Sequence, residues 1–68
     1  MAIDYYKNKN AAIINLNRPQ YLNTLNFEMI KEIDAILKDV ETNNNIKMII
    51  FKGEGDKAFC AGGDVKSF

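Results

Sequence analysis

Between Phe27 and Val40 the apolar residues Phe27, Ile30, Ile33, Ile36, Leu37 and Val40 recur at spacings of three and four. That period puts them on one stripe of an α-helix. Lys31, Glu32, Asp34, Lys38, Asp39 and Glu41 fill the other side, and Asp34 and Lys38 stand as an (i, i+4) ion pair. Asn26 is the predicted N-cap, because its side-chain oxygen can accept an N–H of the first turn. Glu28 suits the positive end of the helix dipole. The run Thr42-Asn43-Asn44-Asn45 ends the helix, since Asn favours caps and turns.

On either side of this helix the pattern changes to that of strands. Ile3, Tyr5 and Tyr6 mark a short strand within residues 1–7, and Ala11–Leu16 a second. The polar stretch Lys7-Asn8-Lys9-Asn10 between them predicts a hairpin, with Asn taking the left-handed conformation of the turn. Asn17–Leu25 is a loop, because Pro19 disfavours helix at Arg18 and has no N–H for a ladder. After the helix, Ile46–Lys52 is a third strand. Its continuous apolar run Met48-Ile49-Ile50-Phe51 predicts cover on both faces. The order is β-β-α-β, an α/β chain whose helix lays its stripe on the sheet.

The third strand runs into Gly53-Glu54-Gly55 and then Phe59-Cys60-Ala61-Gly62-Gly63-Asp64-Val65-Lys66. Two adjacent glycines allow unusual φ/ψ and close approach of a ligand. Asp64 occupies an N-cap position before Val65-Lys66-Ser67-Phe68. A strand, a tight turn and a helix start present free backbone N–H groups, which suit an anion or a developing oxyanion. A tight turn into a capped helix with no ligand is the alternative on spacing alone.

The segment Lys57–Lys66, read together with Leu16-Asn17-Arg18-Pro19-Gln20-Tyr21-Leu22-Asn23-Thr24-Leu25, resembles two signature segments of the crotonase (enoyl-CoA hydratase/isomerase) superfamily, in the right order. Thr24 stands where that family usually has Ala, a change expected to add a loop hydrogen bond. The resemblance implies that residues 1–68 are the N-terminal ββαβ portion of a crotonase-like spiral. It implies that the Gly63 N–H is one of two oxyanion-hole donors for an acyl-CoA thioester. Ala61 would lie beside the adenine end of CoA, and Ala61, Gly62, Gly63, Asp64, Lys66 and Arg18 form the expected substrate-binding set. Arg18 and Lys66 read either as ligands of the CoA phosphates or as solvated surface charges, and Asp64 reads as a cap rather than a catalytic acid. Within the superfamily the Gly62-Gly63-Asp64 and Arg18-Pro19 segments are most similar to 3-hydroxyisobutyryl-CoA hydrolases, with enoyl-CoA hydration or isomerisation as the alternative. The second oxyanion donor and the acidic catalytic residues of that family lie on later segments. No metal or redox cofactor is expected, because CoA enters as the thioester substrate. A reading of another class is a non-catalytic fragment that self-associates or docks on a partner.

Composition narrows the rest. The chain has 68 residues, net charge +0, no His and one Cys. Zero net charge argues for neither nucleic acid nor an anionic membrane as partner. The resemblance implies a small-molecule acyl-CoA as partner, with a homo-oligomer as a further candidate association. The lone Cys60 cannot form an internal disulfide and suits a reducing compartment, mitochondrial or cytoplasmic. With no His to act as base, Cys60 reads as a small packed side chain and not a nucleophile. Gly53-Glu54-Gly55-Asp56-Lys57-Ala58 matches a dinucleotide fingerprint by spacing, but that fingerprint must open a helix, and Phe59-Cys60-Ala61-Gly62-Gly63 is a poor one. The N-terminus lacks the basic-then-apolar pattern of a signal peptide.

Overall fold

The computed structural model describes residues 2–66. Strand β1 (Ile3–Asn8) and strand β2 (Ala11–Leu16) are followed by a 3-10 turn (Pro19–Tyr21), helix α1 (Phe27–Glu41) and strand β3 (Met48–Gly53). The sheet order is β1-β2-β3. β1 runs antiparallel to β2, from Ile3 opposite Leu16 to Asn8 opposite Ala11. β3 runs parallel to β2, from Ala11 beside Met48 to Leu16 beside Gly53. The β2-α1-β3 crossover therefore returns the chain alongside the strand it left, in the α/β arrangement read from the sequence.

The hairpin is tighter than the polar stretch predicts. Asn8 pairs with Ala11, so only Lys9 and Asn10 make the turn, and Lys9 rather than an Asn carries the positive φ of 57°. Two-residue turns with left-handed φ match the twist of the flanking strands, and this geometry outweighs the side-chain preference for Asn. At the far side of the sheet β3 begins at Met48 instead of Ile46, because the Lys47 and Met48 N–H groups both donate to the Asn10 carbonyl (2.7 and 3.3 Å) where the chain meets the hairpin turn.

The core is Ile3, Ile14, Leu16 and Met29, with Tyr5, Leu25, Ile33, Ile36 and Cys60 packed against it. β2 is buried along its whole length as the central strand. Two expectations change here. Met29 is the one fully buried residue of α1, at 0% exposure, whereas Phe27, Ile30 and Leu37 from the predicted stripe lie exposed. The helix turns the row Met29, Ile33, Ile36 toward the sheet, and the crossover geometry selects this row from a stripe wide enough for two. Met48, Ile49, Ile50 and Phe51 of β3 are exposed rather than covered on both faces. β3 is an edge strand here, and α1 packs toward β1 and β2.

The local signals of α1 are met. Asn26 accepts the Met29 N–H at 2.9 Å, and the Thr42 hydroxyl and N–H close the last turn on the Asp39 carbonyl at 3.0 and 3.3 Å. The Lys38–Asp34 pair spans 3.1 Å at the surface, where such a pair contributes about 0.3 kcal/mol. Helix and hairpin also meet through the Tyr5 hydroxyl, which donates to Asp39 Oδ2 at 3.2 Å beside Lys7 Nζ at 3.7 Å. The Tyr5 hydroxyl is held above its ordinary value of 10.0, first by desolvation and then by the bond to Asp39. A raised folded-state value favours the protonated phenol. Its stabilisation is present below the unfolded value and is lost as pH rises through the folded one. We expect Tyr5→Phe to flatten the alkaline limb of a stability–pH curve; an unchanged limb would remove Tyr5 as its source.

Candidate functional site

The loop after β2 is shaped by Pro19, which opens the 3-10 turn, and by two consecutive left-handed residues, Leu22 (φ 56°) and Asn23 (φ 57°). This backbone aims the Asn23 side chain inward, where it is fully buried. Its Oδ1 accepts the Arg18 N–H at 2.8 Å, and its Nδ2 donates to the Glu54 and Ala58 carbonyls, both at 2.9 Å. One side chain thus ties the 18–23 loop to the bend that follows β3. Asn23 stood in the sequence only as part of a motif; the tolerance of Asn for left-handed φ was the available signal.

That bend doubles back tightly. The Phe59 backbone crosses Gly53 so closely that a Cβ there would run into the Phe59 carbonyl. We expect Gly53→Ala to destabilise the fold by about 2 kcal/mol, as overpacking against backbone does, measured by urea unfolding; a loss under about 0.5 kcal/mol, the level of neutral surface changes, would show that the bend relaxes. No helix opens at residues 54–60, so the glycine spacing there lacks the context of a dinucleotide site.

Residues 61–64 then lie alongside residues 22–25. The Ala61 N–H donates to the Leu22 carbonyl (3.0 Å), the Leu25 N–H to the Gly62 carbonyl (2.9 Å) and the Asp64 N–H to the Leu25 carbonyl (2.7 Å). Leu25 and Gly63 form a parallel bridge. In such a bridge the flanking residues Gly62 and Asp64 supply the bonds to Leu25, and Gly63 turns its own N–H and carbonyl away. Among the described residues, no acceptor meets the Gly63 N–H. Gly62 takes φ +117°, open to glycine and strained for other residues, although no atom crowds its Cβ position.

Gly63 borders a cleft of about 450 Å³, shared with Tyr21, Leu22, Thr24, Val65 and Lys66. Two smaller hollows of about 220 and 270 Å³ flank the Glu54–Ala58 bend and do not include Gly63. Of the expected binding residues, Gly63, Asp64 and Lys66 line the larger cleft, and Arg18, Ala61 and Gly62 do not. Lys66 is exposed at its rim, and no carboxylate pairs with its ammonium among the described residues. Ala61 is exposed, with its N–H occupied by Leu22. Asp64 accepts the Lys66 N–H on Oδ1 at 3.1 Å, which caps the Val65-Lys66 turn; the continuation of the predicted helix through Ser67 and Phe68 lies outside the described residues. Cys60 is half-buried with Sγ 3.8 Å from the Gly62 carbonyl, in keeping with a small packed side chain.

Arg18 is not a solvated surface charge, since its side chain is only 12% exposed. Nη1 donates to the Thr24 carbonyl at 3.0 Å, Nη2 lies 3.5 Å from Asp64 Oδ2, and the guanidinium carbon sits 4.4 Å from the centre of the Tyr21 ring. Thr24 enters this network through its backbone, not through the hydroxyl expected to add a bond.

The enoyl-CoA hydratase/isomerase family profile matches residues 11–68. YngF of Bacillus subtilis, named as an enoyl-CoA hydratase/isomerase, is 48% identical over 60 residues, which are 88% of this chain and 23% of that protein. The mitochondrial 3-hydroxyisobutyryl-CoA hydrolase of Bos taurus is 53% identical over 57 residues, 84% of this chain and 15% of that enzyme. The crystal structure of an enoyl-CoA hydratase from Bacillus anthracis superposes with a TM-score of 0.89 and 34% identity, over 98% of this chain and 26% of that one. The chain thus spans no more than about a quarter of the length of these relatives.

Proposed function

The chain belongs to the enoyl-CoA hydratase/isomerase family, the crotonases, and from that premise we propose that its 61–66 segment binds the thioester of an acyl-CoA. The observation that carries this reading is the Gly63 N–H, unpartnered among the described residues, beside a cleft. A backbone donor held in place before reaction suits an oxygen on which negative charge builds, and losing one such donor costs about 3 kcal/mol of transition-state stabilisation. Gly63 supplies that donor, Ala61, Gly62 and Asp64 shape the wall beside it, and Lys66 meets the CoA phosphates. Arg18 supports the same wall from the opposite segment. By the family resemblance, the second donor and the acid–base groups lie on later segments, so the 61–66 segment supplies one of the two oxyanion donors.

The reaction we propose for the whole enzyme is hydrolysis of a 3-hydroxyacyl-CoA such as 3-hydroxyisobutyryl-CoA. Water adds to the thioester carbon, the C–S bond breaks, and CoA leaves as its thiol. The similarity to the Bos taurus hydrolase supports it. Enoyl-CoA hydration or isomerisation is the second reading, favoured by the similarity to YngF. The mitochondrial location in the Bos taurus name supports a mitochondrial compartment, and the bacterial relative supports a cytoplasmic one. No helix among the described residues is long and apolar enough to cross a membrane. Self-association, the reading of another class, is favoured by the exposed apolar residues of β3; sedimentation that shows only a monomer would remove it.

Isothermal titration with 3-hydroxyisobutyryl-CoA and crotonyl-CoA tests the proposal. Saturable binding that prefers the hydroxyacyl ester supports the hydrolase reading, and a preference for crotonyl-CoA supports the hydratase one. No binding of either by a chain shown to be folded overturns the thioester site.

A further inference from the structure

The peptide unit between Gly62 and Gly63 is planar, so the direction of the Gly62 carbonyl sets the direction of the Gly63 N–H. Neither residue carries a side chain to hold that plane. The Gly62 carbonyl is fixed by the Leu25 N–H, and the far side of Gly63 is fixed by the Asp64 N–H on the Leu25 carbonyl. Both bonds fail if the 22–25 and 61–64 segments slide or part. One guanidinium spans the two segments: Arg18 Nη1 holds the Thr24 carbonyl on one, and Nη2 pairs with the Asp64 carboxylate on the other. The Tyr21 ring lies over the guanidinium and limits its swing. With side chains only 12% and 26% exposed, this pair is weakly screened by salt.

We propose that Arg18 is a positioning residue: through Asp64 and Thr24 it holds the Gly62–Gly63 peptide in the orientation that turns the Gly63 N–H toward a thioester oxygen. The inference rests on the thioester-site reading above. It also assigns the Arg18 charge to the interior of the site and leaves the CoA phosphates to Lys66. Lysine cannot replace it, because a single ammonium lacks the fork that reaches both partners and the plane that stacks on Tyr21.

The test compares an acyl-CoA thioester with its S-alkyl thioether, which lacks the carbonyl oxygen. Affinities are measured by titration, and the Gly63 amide is followed by 15N–1H NMR. In the unmodified chain the thioester binds more tightly, and only the thioester moves the Gly63 amide. In Arg18→Met, which keeps length without charge, that preference falls toward one while thioether affinity stays constant. A loss of structure alone would weaken both ligands together. Arg18→Lys is expected to behave as Arg18→Met. Where Arg18→Met does not fold, Asp64→Asn is read instead: Asn retains the turn bond to the Lys66 N–H and removes the charge that Arg18 faces. A variant that keeps the full thioester preference overturns the role of Arg18 and leaves the site reading intact. An unmodified chain with no preference overturns the site reading, and this inference with it.

Discussion

Gly63→Pro is expected to remove thioester recognition while leaving the fold in place. Proline deletes the one N–H in question. The Gly63 N–H bonds nothing among the described residues, and the ladder to Leu25 uses the Gly62 carbonyl and the Asp64 N–H, both of which survive. Gly63 does not take a positive φ, unlike Gly62, so the fixed φ of proline meets no left-handed requirement. For a neutral ester in the ground state one hydrogen bond contributes about 1 kcal/mol, so thioester affinity should fall about fivefold. In a complete enzyme that carries this segment the loss should reach at least about 100-fold in rate, because the donor gains strength as charge develops on the oxygen. Titration of the variant beside the unmodified chain, with circular dichroism as the folding control, decides it. Equal thioester affinity in a folded variant would show that the Gly63 N–H is not the donor.

Asn23→Ala should have the largest effect on stability. The amide makes three hydrogen bonds from a fully buried position, to Arg18 N–H and to the Glu54 and Ala58 carbonyls. Truncation leaves those three backbone groups without a partner and with little water to replace it, at a cost of about 3 kcal/mol. Alanine also tolerates φ 57° less well than asparagine does. A small domain has only a few kcal/mol of net stability, so the variant should be substantially unfolded at 25 °C by circular dichroism. Asn23→Asp should fare little better: a carboxylate can accept from Arg18 but cannot donate to Glu54 and Ala58, and it would face two carbonyl oxygens. A midpoint in urea close to that of the unmodified chain would mean that the 54–58 bend is held by other contacts.

Several local features were legible before the fold was seen. Asn26 caps the helix because a short polar side chain meets an orphan N–H in the first turn. The alternation from strand to helix to strand follows from periods of apolar residues, and the β-β-α-β order follows from that. Other readings failed where the choice lay between faces that are locally equivalent. Phe27, Ile30 and Leu37 satisfy the helical period as well as Met29, Ile33 and Ile36 do, and only docking on β1 and β2 separates the two rows. The apolar run of β3 matches a doubly covered strand, yet its position at the sheet edge leaves it bare. Arg18 could be read as a ligand or as a solvated charge, because its partners Thr24, Tyr21 and Asp64 converge only when two distant loops are brought side by side.

What the sequence by itself determined is the set of elements and the chemistry available in the glycine turn, since caps, periods and φ preferences act within a few residues. What only the tertiary structure decided is which groups that turn leaves free. Among the described residues the Gly63 N–H is unpaired because Leu25, brought alongside by the Asn23 and Arg18 contacts, bonds Gly62 and Asp64 and passes over the residue between them. A hydrogen-bond ladder between segments far apart in the chain sets that alternation, and no local preference encodes its register.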